Sequence, residues 1–165
     1  MRALLVIGLF VGCAGAEAAL AERQAILDAR EAVMRYSTAT PAAHALRGAW
    51  VAELAALRAH TEPGPIAQHV NDKLVPAIAA YASAIEALPT APAFAAANRD
   101  FATAHRTLAA ALGTFASGLE RSNYRVRRAA LALALLAFDK AQTAYVEAMK
   151  AHFASVGLVF TPHAV

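Results

Sequence analysis

The chain has 165 residues, with 15 basic and 12 acidic side chains, a formal charge of +3 and one cysteine. A single cysteine excludes an intramolecular disulfide framework and any Cys-x-x-Cys zinc, redox or haem-attachment site, and so mild a charge gives no support for nucleic-acid binding. Alanine dominates the composition and loses no side-chain rotamer entropy in a helix, while β-branched alternation is absent, so the expected class is all-α.

Met1 and Arg2 precede an apolar run from Ala3 to Gly12 that ends at Cys13 and is followed by Ala14-Gly15-Ala16. A spanning helix needs roughly 20 apolar residues, so this shorter run reads as a secretory signal. Phe10-Val11-Gly12-Cys13 resembles the lipobox of bacterial lipoproteins, with Phe10 where leucine is usual. The resemblance implies that the Cys13 thiol carries a diacylglycerol and that cleavage before it frees an amine for further acylation. With Ala14 rather than aspartate next, it also implies retention at the bacterial outer membrane through that lipid anchor. A second reading stays open. Ala14-Gly15-Ala16 fits an ordinary small-x-small cleavage site, which would leave a soluble periplasmic or secreted chain starting at Glu17. Residues 1–16 are thus assigned to the signal, 17–156 to one helical bundle and 157–165 to a loose tail marked by Gly157 and Pro162.

The first helix is expected from about Glu17 to Ser37, with Leu20, Leu27 and Met34 seven apart and Ile26 and Val33 beside them as its apolar stripe. Glu31 and Arg35 make an i,i+4 pair on the wet side. Thr40 then looks like an N-cap and Pro41 like a first helical residue, restarting a second helix that buries Leu46, Trp50, Leu54 and Leu57. One long helix kinked at Pro41 is the alternative. Thr61 to Pro65 reads as a turn. The third helix, about Ile66 to Leu88, carries Val70, Leu74, Ile78, Tyr81 and Ile85 on one face, and Pro76 removes one of its backbone hydrogen bonds. The fourth, about Ala93 to Arg121, has Phe94, Phe101, Leu108 and Phe115 at heptad spacing. The fifth follows a cap at Ser122 or Asn123 and presents Tyr124, Leu131, Leu135, Phe138, Tyr145 and Met149. Short turns between the last three require antiparallel neighbours, and the whole is expected to be an up-down antiparallel bundle of four or five helices.

Two groups of side chains invite a functional reading. His105 and Asn98 lie on the apolar stripe of the fourth helix, and folding the fifth helix back brings them opposite Phe138, Gln142, Tyr145 and Met149. A buried polar layer of Asn98, His105, Gln142 and Tyr145 is therefore expected, its members bonding one another. Its functional version is a ligand or haem pocket, with His105 or His152 and Met34 or Met149 as axial candidates. Arg121, Arg125, Arg127 and Arg128 form the one charge cluster. At a helix N-terminus they oppose the dipole, so they would suit an external anion or lipid headgroup if that turn lies beside the membrane. That placement requires all five helices to alternate, and it fails if Pro41 only kinks one helix. No histidine follows a carboxylate by three or four residues, so no bundle-type metal site is expected, although His60, Glu62 and His69 flank one turn. The pair His69 and Asp72 reads as a surface hydrogen bond. No serine has a Gly-x-Ser-x-Gly setting and no Gly-rich phosphate loop occurs, so no catalytic residue and no cofactor are assigned. The expected function is a non-catalytic envelope scaffold or binding module with a protein or anionic polymer as partner. The alternative is a carrier of haem or a small apolar ligand near His105.

Overall fold

The computed structural model describes residues 4–160, with side chains from Ala16 onward. The thiol of Cys13 and Pro162 lie outside the described residues, and with them the lipidation reading and the end of the tail. All described elements are helical and pack as an all-α bundle.

Helix α1 runs unbroken from Leu4 to Ala56, straight through Pro41. The expected stop and restart does not occur. Pro41 has no N–H for the carbonyl of Ser37, and the Thr40 hydroxyl donates there instead, at 3.1 Å, and to the Tyr36 carbonyl at 2.8 Å. Thr40 is thus a mid-helix donor that repairs the ladder beside the proline, not an N-cap. The surface expected to be buried packs only in part. Val33, Tyr36 and Ala43 are buried and Trp50 and Leu57 half-buried, whereas Leu20, Leu27 and Met34 are 66%, 49% and 60% exposed. At 3.6 residues per turn those three lie roughly opposite the packed side. Leu46 and Leu54 are likewise exposed. From Ala16 to Asp28 every residue is exposed, so α1 begins well outside the bundle. Arg35 and Glu31 do pair, at 3.8 Å, on the solvent side.

A 3-10 turn, Leu57–Ala59, leads to α2 (Pro63–His69), a π-helical segment (Val70–Leu74) and α3 (Val75–Glu86), which form one continuous rod. Pro63, Gly64 and Pro65, expected as a turn, are its first helical turn, where missing backbone donors cost nothing. The π segment solves the Pro76 problem: the Val75 N–H reaches back to the Val70 carbonyl, and the wider turn accommodates a residue that cannot donate. Helix α4 (Pro92–Ala116) and helix α5 (Tyr124–Ser155) complete four rods running up, down, up and down. Between α4 and α5, Gly118 takes a positive φ of 62°, and the Asn123 side chain braces the turn by bonding the Glu120 N–H and the Gly118 carbonyl.

Packing follows chain order. The first rod lies on α3, α3 on α4, and α4 on α5, so α1 and α5 are the two edges. These edges meet near one end, where Tyr36 reaches Tyr145 and Arg30 Nε donates to the Val156 carbonyl at 2.9 Å. Phe160 packs there too, so the described part of the tail is seated on the bundle rather than loose. The core has two clusters. One joins Ile66, Val70, Leu74, Ile78, Leu108, Leu112 and Phe138, the other Tyr36, Tyr81, Ile85, Phe94, Phe101 and Met149, and Trp50 touches both.

Candidate functional site

The heptad on α4 carries His105 to the centre of the bundle, where it is 1% exposed. Its Nδ1 donates to the Phe101 carbonyl at 2.9 Å, one turn back on the same helix. Four aromatic rings stand edge-on around it: Phe101 at 4.5 Å, Phe138 at 4.7 Å, Tyr81 at 4.9 Å and Trp50 at 6.1 Å between centroids. Burial holds its basicity below the ordinary histidine value, the Phe101 bond opposes this, and the charge of Arg47 adds to it. Burial thus favours the neutral imidazole, which is fully packed.

Asn98, one heptad earlier and 2% exposed, donates to the Ile85 carbonyl at 2.7 Å, across to α3. Tyr145 shares a short hydrogen bond with the hydroxyl of Tyr36, on α1. Gln142 is half-buried and bonds none of the three. The four residues expected to satisfy one another thus do not form a layer. His105 instead bonds a carbonyl one turn back on its own helix, Asn98 a carbonyl on α3, and Tyr145 a hydroxyl on α1. Burial raises Tyr145 and Tyr36, and pushes the Tyr81 phenol up to about 12, so all three hydroxyls stay protonated. Tyr81 was expected on the buried face of the third helix, as found, whereas Tyr36 was not singled out from the sequence. The signal was present for Tyr36, which heads the run Tyr36, Ala43, Trp50, Leu57 at seven-residue spacing. A Tyr36→Phe variant is expected to lose about 1 kcal/mol of stability in urea unfolding, because it takes the hydrogen-bond partner from the half-buried Tyr145 hydroxyl.

The haem candidates do not converge. Met34 faces solvent, Met149 is buried in the core, and His152 lies flat on Phe94, with ring planes 6° apart. His69, read as a partner for Asp72, instead places Nε2 at 2.9 Å from the Glu53 carbonyl and 3.3 Å from its carboxylate, with the His60 ring 5.2 Å away. Glu62, the third member of that turn, bonds Arg121.

The arginine cluster divides. Arg121 Nη2 donates to Glu62 at 2.5 Å, and that bond holds the Glu62 carboxyl below its ordinary range. Arg127 Nη1 donates to the Thr114 carbonyl at 2.6 Å, tying α5 to α4. Arg125 and Arg128 are exposed. Because α1 is continuous, the α4–α5 turn sits at the end of the bundle where α1 finishes, far from its start. The geometry that a headgroup contact beside a tethered N-terminus required is not adopted.

What the fold leaves open is apolar surface. On α5 only Phe138 and Met149 are buried, and the side turned away from α4 presents Val126, Leu133 and Leu136 at 73%, 71% and 54% exposure, with exposed Ala129 and Ala132 between them. Among the described helices α5 alone is long and apolar enough to cross a membrane. Asp139 and Lys140 fall at its midpoint, where each charge would cost about 3 kcal/mol in lipid, and its other side is packed on α4. The shallow groove between α4 and α5, about 170 Å³ and lined by Thr114, Phe115, Arg127 and Leu131, is too small for a cofactor. No protein-family model, curated protein or solved structure matches the chain.

Proposed function

We propose that the chain is a cell-envelope lipoprotein, held at the outer membrane through an acylated Cys13, whose bundle serves as a non-catalytic docking module for an envelope protein. The observation that carries the reading is the apolar character of two outward faces: Leu20, Leu27 and Met34 on α1, and Val126, Leu133 and Leu136 on α5. A helix that serves only its own core shows polar residues there, and clustered apolar ones mark surfaces that other molecules cover. The exposed stretch of α1 from Ala16 to Asp28 adds a stem of about 20 Å at 1.5 Å per residue, which suits a tethered bundle. Two acyl chains give stable anchoring where one gives only reversible binding.

The carrier alternative is the weaker one, since the space it assigns to a ligand beside His105 is filled by Trp50, Tyr81, Phe101 and Phe138. The test is a Cys13→Ser variant compared with the native chain by fractionation and intact mass. The native chain is expected in the membrane fraction with the added mass of its acyl groups, and the variant in the soluble or unprocessed form without them. Unchanged mass and unchanged sedimentation in the variant overturn the tether.

A further inference from the structure

The outward face of α5 carries a pattern that matches its own reverse. Along one line of the helix, seven residues apart, stand Arg125, Ala132 and Asp139, all exposed. Among the described residues neither Arg125 nor Asp139 has an ion-pair partner within the chain. Beside that line run Val126 and Leu133, then Ala129 and Leu136, so large and small apolar residues alternate between the two charges.

We propose that this face binds a second copy of the chain, α5 against α5, antiparallel about a two-fold axis at Ala132. Reversal about Ala132 puts Arg125 of each copy opposite Asp139 of the other, about 10 Å to either side of the axis. It sets Leu133 near Ala132 and Leu136 near Ala129 of the second copy, so leucine meets alanine and the helix axes approach closely. The Lys140 stem crosses Val126 of the second copy with its ammonium in water. A parallel pair would stack Arg125 on Arg125 and Asp139 on Asp139, which the charges oppose. A closed two-fold pair uses the same patch on both molecules and leaves no open end for further growth. The face is one helix wide and smaller than that of an obligate dimer, so the association is weak in solution and strengthened when both chains share a surface. This assignment deepens the docking reading and does not depend on the tether, which the Cys13→Ser comparison tests separately.

The experiment is sedimentation equilibrium of the full chain in non-acylated Cys13→Ser form, up to about 100 µM, where a micromolar pair is populated. The chain is expected to show a monomer–dimer equilibrium. Arg125→Asp alone and Asp139→Arg alone should each raise Kd about tenfold or more, and the double swap R125D/D139R should restore it. Leu133→Glu should abolish the dimer, while circular dichroism confirms that each variant stays folded. A monomer at every concentration overturns the proposal. So does a dimer indifferent to the single charge reversals, which would place the contact elsewhere, such as the Leu20, Leu27 and Met34 line of α1. Binding of the monomer to phosphatidylcholine vesicles, lost in Leu133→Glu, would assign the face to lipid and also overturn it.

Discussion

Replacing Leu74 with alanine is expected to lower the unfolding free energy by about 2–5 kcal/mol, seen as an earlier denaturant midpoint with an unchanged slope. Leu74 is 0% exposed and sits at the end of the π segment, between the cluster of Val70 and Ile78 on its own rod and Leu108 and Leu112 on α4. Truncation there removes buried methyl groups and leaves a cavity among side chains from two helices. The loss is large against the roughly 5–15 kcal/mol that holds a domain of this kind together. Leu133→Ala is the matched control. At 71% exposure it should change monomer stability by no more than about 0.5 kcal/mol. If Leu74→Ala costs less than about 1 kcal/mol, or the two leucines cost the same, the helices are not divided into inward and outward faces in this way.

That division is where the sequence was readable and where it misled. The all-α class followed from alanine, and the α4 stripe followed from an unbroken heptad of large side chains, because one face had no competitor. Phe94, Phe101, Leu108 and Phe115 are all buried. On α1 two lines competed. Leu20, Leu27 and Met34 looked the stronger but face outward; of the residues that pack, Val33 and Trp50 were expected, while Tyr36 and Ala43, one amphipathic and one small, score weakly for burial. Periodicity finds an apolar face without saying whether the chain's own helices or another molecule cover it. Proline misled for a different reason. Its cost inside a helix depends on whether the orphaned carbonyl finds another donor, and Thr40 beside Pro41 and the π turn before Pro76 both supply local remedies. The two continuous rods then moved the arginine corner to the far end, where Arg121 meets a partner, Glu62, 59 residues away in sequence. No spacing rule reaches that far. The polar centre was located correctly on α4 but its bonds were not: His105 turns to a carbonyl on its own helix, while Asn98 and Tyr145 reach α3 and α1, helices outside the α4–α5 pairing from which the layer was read.

Acid should weaken the bundle through His105, and the sign can be worked out. Burial lowers the folded-state pKa of this imidazole below the ordinary value of 6.5, with the Phe101 bond opposing and the Arg47 charge assisting. Above 6.5 the ring is neutral in both folded and unfolded chains, and it makes no pH-dependent contribution. Below 6.5 the unfolded chain takes up a proton that the folded chain refuses, so stability falls as pH falls, by up to about 1.4 kcal/mol per pH unit. The fall continues until the folded pKa is reached, where either the ring protonates in place or the bundle opens around it. Between pH 6.5 and 5 the wild type is expected to lose up to about 2 kcal/mol more than a His105→Leu variant, which fills nearly the same volume and does not titrate. The surface carboxylates Glu62 and Glu86, held below their usual range by bonds from Arg121 and Arg106, also cease to contribute as they protonate. They are common to both chains and cancel in the difference. Urea midpoints of the two chains at half-unit pH steps give the comparison. Curves that diverge below pH 6.5, with the wild type falling faster, place the neutral imidazole inside its ring of aromatics. Curves that stay parallel down to pH 5 would mean that water reaches His105.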